Sequence, residues 1–551
     1  MQYKICWLVF SFLIFCSIKQ QAQDQTQDQG RFSGDINLNA NFYERDSLIN
    51  AAGTSFYDNL KSGAESWLSL NYSKSGFDLG VRFDLYNNSN RIFPTQDYTE
   101  QGIGAWFIRK KIDKLTLTGG YFYDQFGSGS TFRAFEQRLL GIDKAILGIK
   151  AEYELTDFIN IKAFTGRQKF LFDLNASILK GANIESYHTF NEGKITLIPG
   201  ISVVNRTLDE GSILTIANGI NLLELDDRFV PKYNSYTGSI YNTLIIGKFD
   251  WFFEYAQKTN EAVNTIGNFW EDLNGNFLYS TLSYSQKGLG LTLQAKRVEN
   301  FRLRTDPLER TLQNNVLFNF LPATNREHAS PLLARYNAQA LELDEMAVTF
   351  DAVYTPKKGL TFQGSFSNIT DLTGDSLLYR EYFVEVEIKK RKAPWKLHTG
   401  LQVLDYNIAV YQQKGTYLNS MTPFLEFIYK FNKKTSLRFE TEYLISQRNT
   451  RFSEGFDAKI YKQDRNDWWS GLLELTISPH WSFALNDMYN INPENIDEKQ
   501  HFYGAFVGYT AKTNRLGLFY GKRVDGIVCS GGVCRFEPAF SGVQFQLSSS
   551  F

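Results

Sequence analysis

Downstream of residue 30 the chain alternates strictly between apolar and polar positions. Phe77, Leu79, Val81, Phe83 and Leu85 alternate with Asp78, Gly80, Arg82, Asp84 and Tyr86. Leu437, Phe439, Thr441, Tyr443 and Ile445 alternate with Ser436, Arg438, Glu440 and Glu442, and Tyr382, Val384, Val386 and Ile388 with Phe383, Glu385, Glu387 and Lys389. Successive side chains of a strand point to opposite faces, so each run predicts a strand with one greasy and one charged face. Soluble sandwiches alternate too, but their strands average about five or six residues. These runs reach about ten to thirteen, and about ten residues tilted by ~45° cross a bilayer. Rings recur at the run ends, as in Tyr121-Phe122-Tyr123, Trp251-Phe252-Phe253, Trp468-Trp469, Phe502-Tyr503 and Phe519-Tyr520, where they would form aromatic girdles at the two interfaces.

The links between runs alternate between short and long. Eleven tight links, from Ser73-Lys74-Ser75 through Ser478-Pro479 to Ala511-Lys512, define 22 strands, and a first strand near 32–44 and a last near 541–551 bring the count to 24. Outer-membrane barrels have short periplasmic turns, long external loops and, in single chains, an even strand number. The expected fold is all-β: a transmembrane antiparallel up-and-down barrel of about 24 strands, both termini periplasmic, with no separate N-terminal plug domain. The apolar piece Ile213 to Ile220 must then lie inside an external loop. The chain ends in an alternating strand closing on Phe551, which resembles the signal read by the barrel-assembly machinery.

Residues 1–22 carry Lys4, an apolar run from Cys6 to Ile18 and a Gln20-Gln21-Ala22-Gln23 exit, the pattern of a secretory signal peptide. The expected organisation is that signal peptide, a short polar segment over 23–31, and one barrel over 32–551 with long external loops at 124–145, 206–236, 300–345 and 523–541. The expected location is the bacterial outer membrane. Lys and Arg number 58 against 59 Asp and Glu, a net charge of −1, so no basic surface invites nucleic acid. A mean hydropathy of −0.31 excludes a helical multi-span protein and permits strands apolar on one face. Cys6 and Cys16 leave with the signal peptide. Cys529 and Cys534, in Cys-Ser-Gly-Gly-Val-Cys, then read as a local disulfide in an oxidising compartment; a metal site would want two further ligands. Neither a cofactor nor a metal is expected. The expected partners are outer-membrane lipid, the assembly machinery and, for an accessory barrel, another envelope protein.

Barrels of 16 to 18 strands already enclose an aqueous channel, so a wall of 24 needs something inside it. TonB-dependent transporters use an N-terminal plug, for which residues 23–31 leave no room. The candidates are instead the inward charges Arg82, Asp84, Arg438, Glu440 and Glu442 and the loop from Tyr121 to Asp143, in which Phe126, Gly127, Gly129, Arg133, Glu136, Arg138 and Asp143 mix glycines, rings and charges. That composition suits a loop packed in the lumen and equally a solvated external loop. Gly127-Ser-Gly129 lacks the Lys-Ser/Thr of a phosphate-binding loop.

The Tyr121–Asp143 stretch, with its Asp-Gln-Phe-Gly-Ser-Gly core followed by Arg, an acidic residue and Leu-Gly-Ile-Asp, resembles an uncharacterised family of outer-membrane β-barrel proteins of Bacteroidota, a domain of unknown function. The Ala22-Gln23 exit fits the same group. The likeness covers that stretch and the barrel architecture. It implies that Phe126, Gly127, Gly129, Arg133 and Asp143 belong to a shared feature of the fold, and it carries over no reaction and no catalytic residue.

A lipid-modifying enzyme would need a His-x-Ser pair near the outer leaflet. His328-Ala-Ser330 falls in the longest loop and His480-Trp-Ser482 beside the tight turn at Pro479, and neither place suits. His188, His398 and His501 stand alone in the sequence and read as wall or girdle residues. The i, i+2 carboxylates Glu385/Glu387 and Glu440/Glu442 read as a wet polar interior. The expected function is therefore non-enzymatic: a channel or porin-like transporter for small solutes, constricted by residues 124–145 or 300–345. The alternative is a structural or accessory barrel of a protein-secretion or surface-assembly complex, and a lipid-modifying enzyme ranks third.

Overall fold

The computed structural model describes residues 30–265, 269–308, 316–339, 344–390, 392–412, 417–447, 467–493, 499–530 and 533–551. The signal peptide and the question of an N-terminal plug lie outside the described residues. The wall is one antiparallel sheet of 26 hydrogen-bonded segments. Asp173–Leu174 is an appendage of its neighbour, and His188–Phe190 prolongs Ile178–Ser186, which leaves 24 wall strands. The sheet closes on itself: Arg31–Tyr43 pairs with Ser62–Lys74 on one side and with the last strand, Phe540–Ser550, on the other, placing Asp35 opposite Ser550 and Tyr43 opposite Gly542. Closure removes the bare edge that lipid cannot satisfy. The tight turns lie at one end of the barrel with both strand termini, and the long links lie at the other. Gly288 (φ 82°) and Gly359 (φ 86°) supply the left-handed backbone that two such turns require.

The alternation sorts into two environments. Phe77, Leu79, Phe83 and Leu85 stand on the outer surface, whereas Arg82 and Asp84 are buried on the inner one. Tyr382 and Val384 face out while Glu381 and Phe383 are buried inside. Soluble monomers rarely expose contiguous apolar patches beyond a few hundred Å². Here the outward positions around the circumference are largely apolar, with Lys180 among the exceptions, and hydrocarbon covers them without cost. The aromatic dyads split across the wall: Tyr503 and Tyr520 point outward, while Trp468, Phe502 and Phe519 are buried on the inner side, so only part of each expected girdle is a girdle. Val384, in the middle of Leu377–Ile388, gives a direct test of the lipid face. Val384→Arg should destabilise the inserted barrel by about 2–4 kcal/mol, read as a lower midpoint of urea unfolding in lipid vesicles.

The long link after Ile195–Thr207 contains the helix Glu210–Ile220, whose last residues are the apolar piece expected in an external loop. Asp209 caps it, accepting from the Ser212 backbone N–H at 3.1 Å and the Ser212 hydroxyl at 2.5 Å, and these bonds hold its carboxyl below the usual range. Ile213, Ile216 and Ile220 recur at helical spacing and bury together against Ala262 and Trp270. Cys529 and Cys534 are disulfide-bonded as directly opposed residues of the hairpin Gly526–Ser530/Val533–Glu537, in the link before the last strand.

Candidate functional site

The lumen is filled from within by two long links. The first follows Leu115–Phe122. Asp124–Phe126 and Phe132–Ala134 form a small hairpin that is separate from the wall sheet. Its tip turns at Gly127 (φ 51°) and Gly129 (φ 96°), and Phe126 and Phe132 are fully buried. They pack on the inward-facing wall ring of Phe164, 5.8 Å and 4.3 Å away between centroids, in a core that also takes in Ile146, Leu179, Val204 and Phe277. Burying one such ring stabilises by roughly 1.5–3 kcal/mol, so this barrel has an apolar core inside as well as an apolar coat outside. Lys150 and Lys162, on adjoining wall strands, hold Asp124 at 3.1 and 2.9 Å.

Across the lumen, the hairpin tip grips Glu254 of the strand Phe249–Asn264. The carboxylate accepts from the Ser128 backbone N–H at 2.9 Å and the Ser130 hydroxyl at 2.7 Å. A Cβ on Gly127 would stand 2.8 Å from Glu254 Oε1, so the close approach requires glycine as much as the turn does. Glu254 is wholly buried, and hydrogen bonds to a charged acceptor are worth about 1.5–3 kcal/mol each.

The second link supplies residues 316–339, which extend the hairpin: Arg133 N–H donates to Phe318 O at 2.9 Å, Phe320 N–H to Gly129 O at 3.0 Å, and the Asn319 amide to Ser130 O at 2.8 Å. The segment then runs along the inner wall. Lys296 donates to Pro322 O at 3.0 Å, Thr349 to Thr324 O, and Arg326 to Gln363 at 3.1 Å. His328 Nε2 lies 2.6 Å from Glu381, which also accepts from Gln402 at 2.6 Å. Glu442 accepts both the Leu332 and Leu333 backbone N–H groups, at 2.8 and 3.1 Å. Glu254, Glu381 and Glu442 are each at most 2 % exposed. A buried carboxylate is costly unless paired or hydrogen-bonded, and in each case the inward link contributes a partner.

Arg82, Asp84, Glu136, Arg138 and Asp143 come together in one buried network. Arg82 binds Asp84 in bidentate fashion at 2.6 and 2.7 Å, Asp143 at 2.6 Å, and Glu136. Arg138 reaches Glu136 at 2.8 Å and Asp35 at 3.6 Å. Sequence reading missed two members, Lys169, 2.6 Å from Asp143, and Tyr123, whose hydroxyl donates to Asp143 at 2.8 Å. Burial would raise the Asp143 carboxyl, but Lys169 and Arg82 outweigh it and hold it well below the ordinary range. Arg133 stands apart from this network, stacked on Phe135 and Phe320 with its guanidinium 4.8 and 5.0 Å from the ring centroids.

The other strand charges divide between two tasks. Arg438 pairs with Glu426 at 2.5 Å, with Glu440, and with Glu474 at 3.4 Å, whereas Glu442 serves the 316–339 segment. Two of the three histidines that stood alone in the sequence have carboxylate neighbours in the fold, His398 at 3.4 Å from Glu385 and 3.2 Å from Glu387 and His501 at 2.7 Å from Asp487, whereas His188 lies 3.1 Å from Ser186 Oγ among the rings of Phe158 and Phe190. Cross-strand register creates these pairs, and spacing along one strand does not reveal them. His328 is engaged by Glu381, and His480 Nδ1 lies 2.8 Å from Thr510 O. Among the described residues no group of His, Cys, Asp and Glu has the geometry to hold a metal ion. Phe551 closes the last strand beside the first, its backbone N–H and carbonyl both paired with Gly34 at 2.9 Å.

Solved structures similar to the chain include the siderophore receptor PirA from Pseudomonas aeruginosa (10% identity over 96% of this chain and 81% of that one, TM-score 0.39). Pseudomonas aeruginosa OpdK with vanillate matches at 12% identity over 76% and 99%, TM-score 0.35. The E. coli P pilus tip assembly intermediate PapC-PapD-PapK-PapG matches at 9% identity over 97% and 62%, TM-score 0.48. No curated protein matches the chain. The model of a family of unknown function, DUF6029, matches residues 1–551, and the protein belongs to that family.

Proposed function

We propose that this protein is a gated outer-membrane channel for small solutes, closed by its own inward-folded links and delivered to the membrane after removal of residues 1–22. A source among the Bacteroidota is part of the same reading, suggested by the Tyr121–Asp143 motif and the Ala22-Gln23 exit. The observation that carries it is the set of three buried wall carboxylates, Glu254, Glu381 and Glu442, each bonded to a segment that crosses or lines the lumen. A structural barrel needs a closed wall but no such fastenings. A gate needs segments held by a few discrete bonds that can be exchanged, because packed elements switch between arrangements and do not deform continuously.

The test is conductance in a planar bilayer. The intact protein should show small currents with infrequent openings. Glu254→Ala combined with Glu442→Ala removes four hydrogen bonds to the inward links and should raise a low open probability at least tenfold, since each ~1.4 kcal/mol lost from the closed state is a factor of ten in the open-to-closed ratio. A steady wide-pore current from the intact protein would overturn the reading, as would a double variant that inserts normally and conducts no more than its parent.

A further inference from the structure

A hollow of about 800 Å³ lies in the outer face of the wall, across the strands Ile178–Ser186, Ile195–Thr207, Asn234–Ile246 and Phe249–Asn264. Its size falls within the roughly 300–1,000 Å³ of small-molecule sites. Register sets Ala182 opposite Val203, Val203 opposite Gly238 and Gly238 opposite Gln257, and this row forms the floor. Ile184, Ile201, Ile240 and Tyr255 make the next outward row and form one side. The depth comes from Gly238. A Cβ there would meet only the Ser202 carbonyl oxygen, at an ordinary 3.5 Å, so no close neighbour requires glycine at this position. Glycine inside a strand weakens it and often marks a place where a ligand approaches closely. Gln257 is exposed beside it and forms no side-chain hydrogen bond among the described residues.

Two cations flank the hollow on the same outer face, toward the long-link end. Lys180 stands two positions from Ala182 on one strand, roughly 7 Å along it. Its cross-strand partner is Thr165, and Arg167, two positions further, is the diagonal neighbour at about 7–8 Å. Both cations are exposed, and among the described residues neither forms an ion pair or a side-chain hydrogen bond. Other outward cations of the wall are held: Arg297 by Glu299 at 2.9 Å, Arg380 by Asn368 at 2.9 Å and Lys522 by Asp46. An unpaired cation at the lipid boundary keeps its donors for an anion, and a guanidinium matches two phosphate oxygens at once. Positive charge beside an apolar slot complements an acylated phosphate lipid, with the Gln257 amide as a donor for the carbonyl of its acyl linkage. A second copy of the barrel fits less well, because an isologous contact on this patch would gather four cations. We infer that the hollow binds one phosphate-bearing lipid of the outer leaflet, its phosphate on Lys180 and Arg167 and an acyl chain against Gly238. The inference rests on a lipid-covered wall and is independent of conduction.

The experiment is native mass spectrometry of the full-length barrel in detergent, titrated with dioleoyl phosphatidic acid, with dioleoylglycerol as the lipid lacking phosphate and inorganic phosphate as the anion lacking chains. Phosphatidic acid should saturate at one per barrel, with dioleoylglycerol and inorganic phosphate each at least tenfold weaker. Lys180→Gln combined with Arg167→Gln should weaken phosphatidic acid at least tenfold and leave dioleoylglycerol unchanged. Gly238→Phe, which fills the slot and leaves both cations in place, should also weaken phosphatidic acid at least tenfold. All variants should keep the gel-mobility shift between heated and unheated samples that marks a folded barrel. The site is overturned if phosphatidic acid adds without saturation, if dioleoylglycerol or inorganic phosphate binds as tightly, or if either folded variant retains the lipid like the parent. A parent that runs as a dimer and is made monomeric by Gly238→Phe would overturn it too, by assigning the hollow to a second copy.

Discussion

Excising residues 316–339 and bridging the gap with a short glycine-serine link should raise single-channel conductance at least tenfold, since barrel diameter grows roughly linearly with strand number and 24 strands exceed the 16 to 18 that already leave a channel. The wall does not depend on this segment: every wall strand is hydrogen-bonded to two other wall strands, and the strands flanking the link, Leu289–Glu299 and Glu345–Lys357, pair directly with each other. What the excision removes is interior material: the contacts to Lys296, Thr349, Gln363, Glu381, Gln402 and Glu442, and the strip that backs the Phe126/Phe132 hairpin. Glu381 and Glu442 then face water, which hydrates them, and the inner apolar core loses Phe318 and Leu321. The hairpin keeps its grip on Glu254, so the current should remain below that of an empty cylinder. The excised barrel should still show the heat-dependent gel shift. A correctly inserted excision variant with the parent's conductance would mean that the segment does not obstruct the pore.

The wall was legible in the sequence because its information is local. Period-two alternation assigns each side chain a face without reference to any partner, which is how Arg82 and Asp84 read as inward and Phe83 as outward. Turn residues between runs gave the strand count. The lumen was only partly legible, because its bonds join residues far apart in the chain. Glu254 between Phe253 and Tyr255 looks like any inward acid, and it becomes a fastening only through Ser128, 126 positions earlier. Lys169 ends the strand Ile159–Phe170 with nothing nearby to signal Asp143. The mix of glycine, ring and charge in Tyr121–Asp143 flagged the right loop and fitted both a packed and a solvated state. What settles the packed state is the Phe164 ring awaiting Phe126 and Phe132 inside the wall. The helix Glu210–Ile220 carried its own local signal, an Asp209 cap and isoleucines at helical spacing, which goes unused when Ile213 to Ile220 is placed simply within an external loop.

Arg82→Ala should be among the most damaging single substitutions in the chain. It deletes the one group that touches Asp84, Glu136 and Asp143 together, and it leaves those carboxylates crowded around Lys169 and the half-buried Arg138. Removing one partner from a buried ionic network costs about 3–5 kcal/mol, because the uncompensated charges stay behind. Arg82→Lys should recover little, since an ammonium cannot reproduce the bidentate hold on Asp84 while also reaching Asp143. The deficit should also depend on pH in a defined direction. Asp143 is held below its ordinary value in the folded protein, so the stability it contributes is complete above the unfolded value of about 3.9 and is lost as pH falls toward the folded one. In the variant Asp143 loses one of the two cations that hold its carboxyl down, so its protonation at low pH relieves part of the repulsion that Arg82 had offset. The gap between parent and Arg82→Ala, measured as urea-unfolding midpoints in vesicles, should therefore be full at pH 7 and narrow below about pH 4. A gap that is the same at pH 3 and pH 7 would assign the loss to side-chain packing and remove the charge network from the account of how residues 135–143 are held in the lumen.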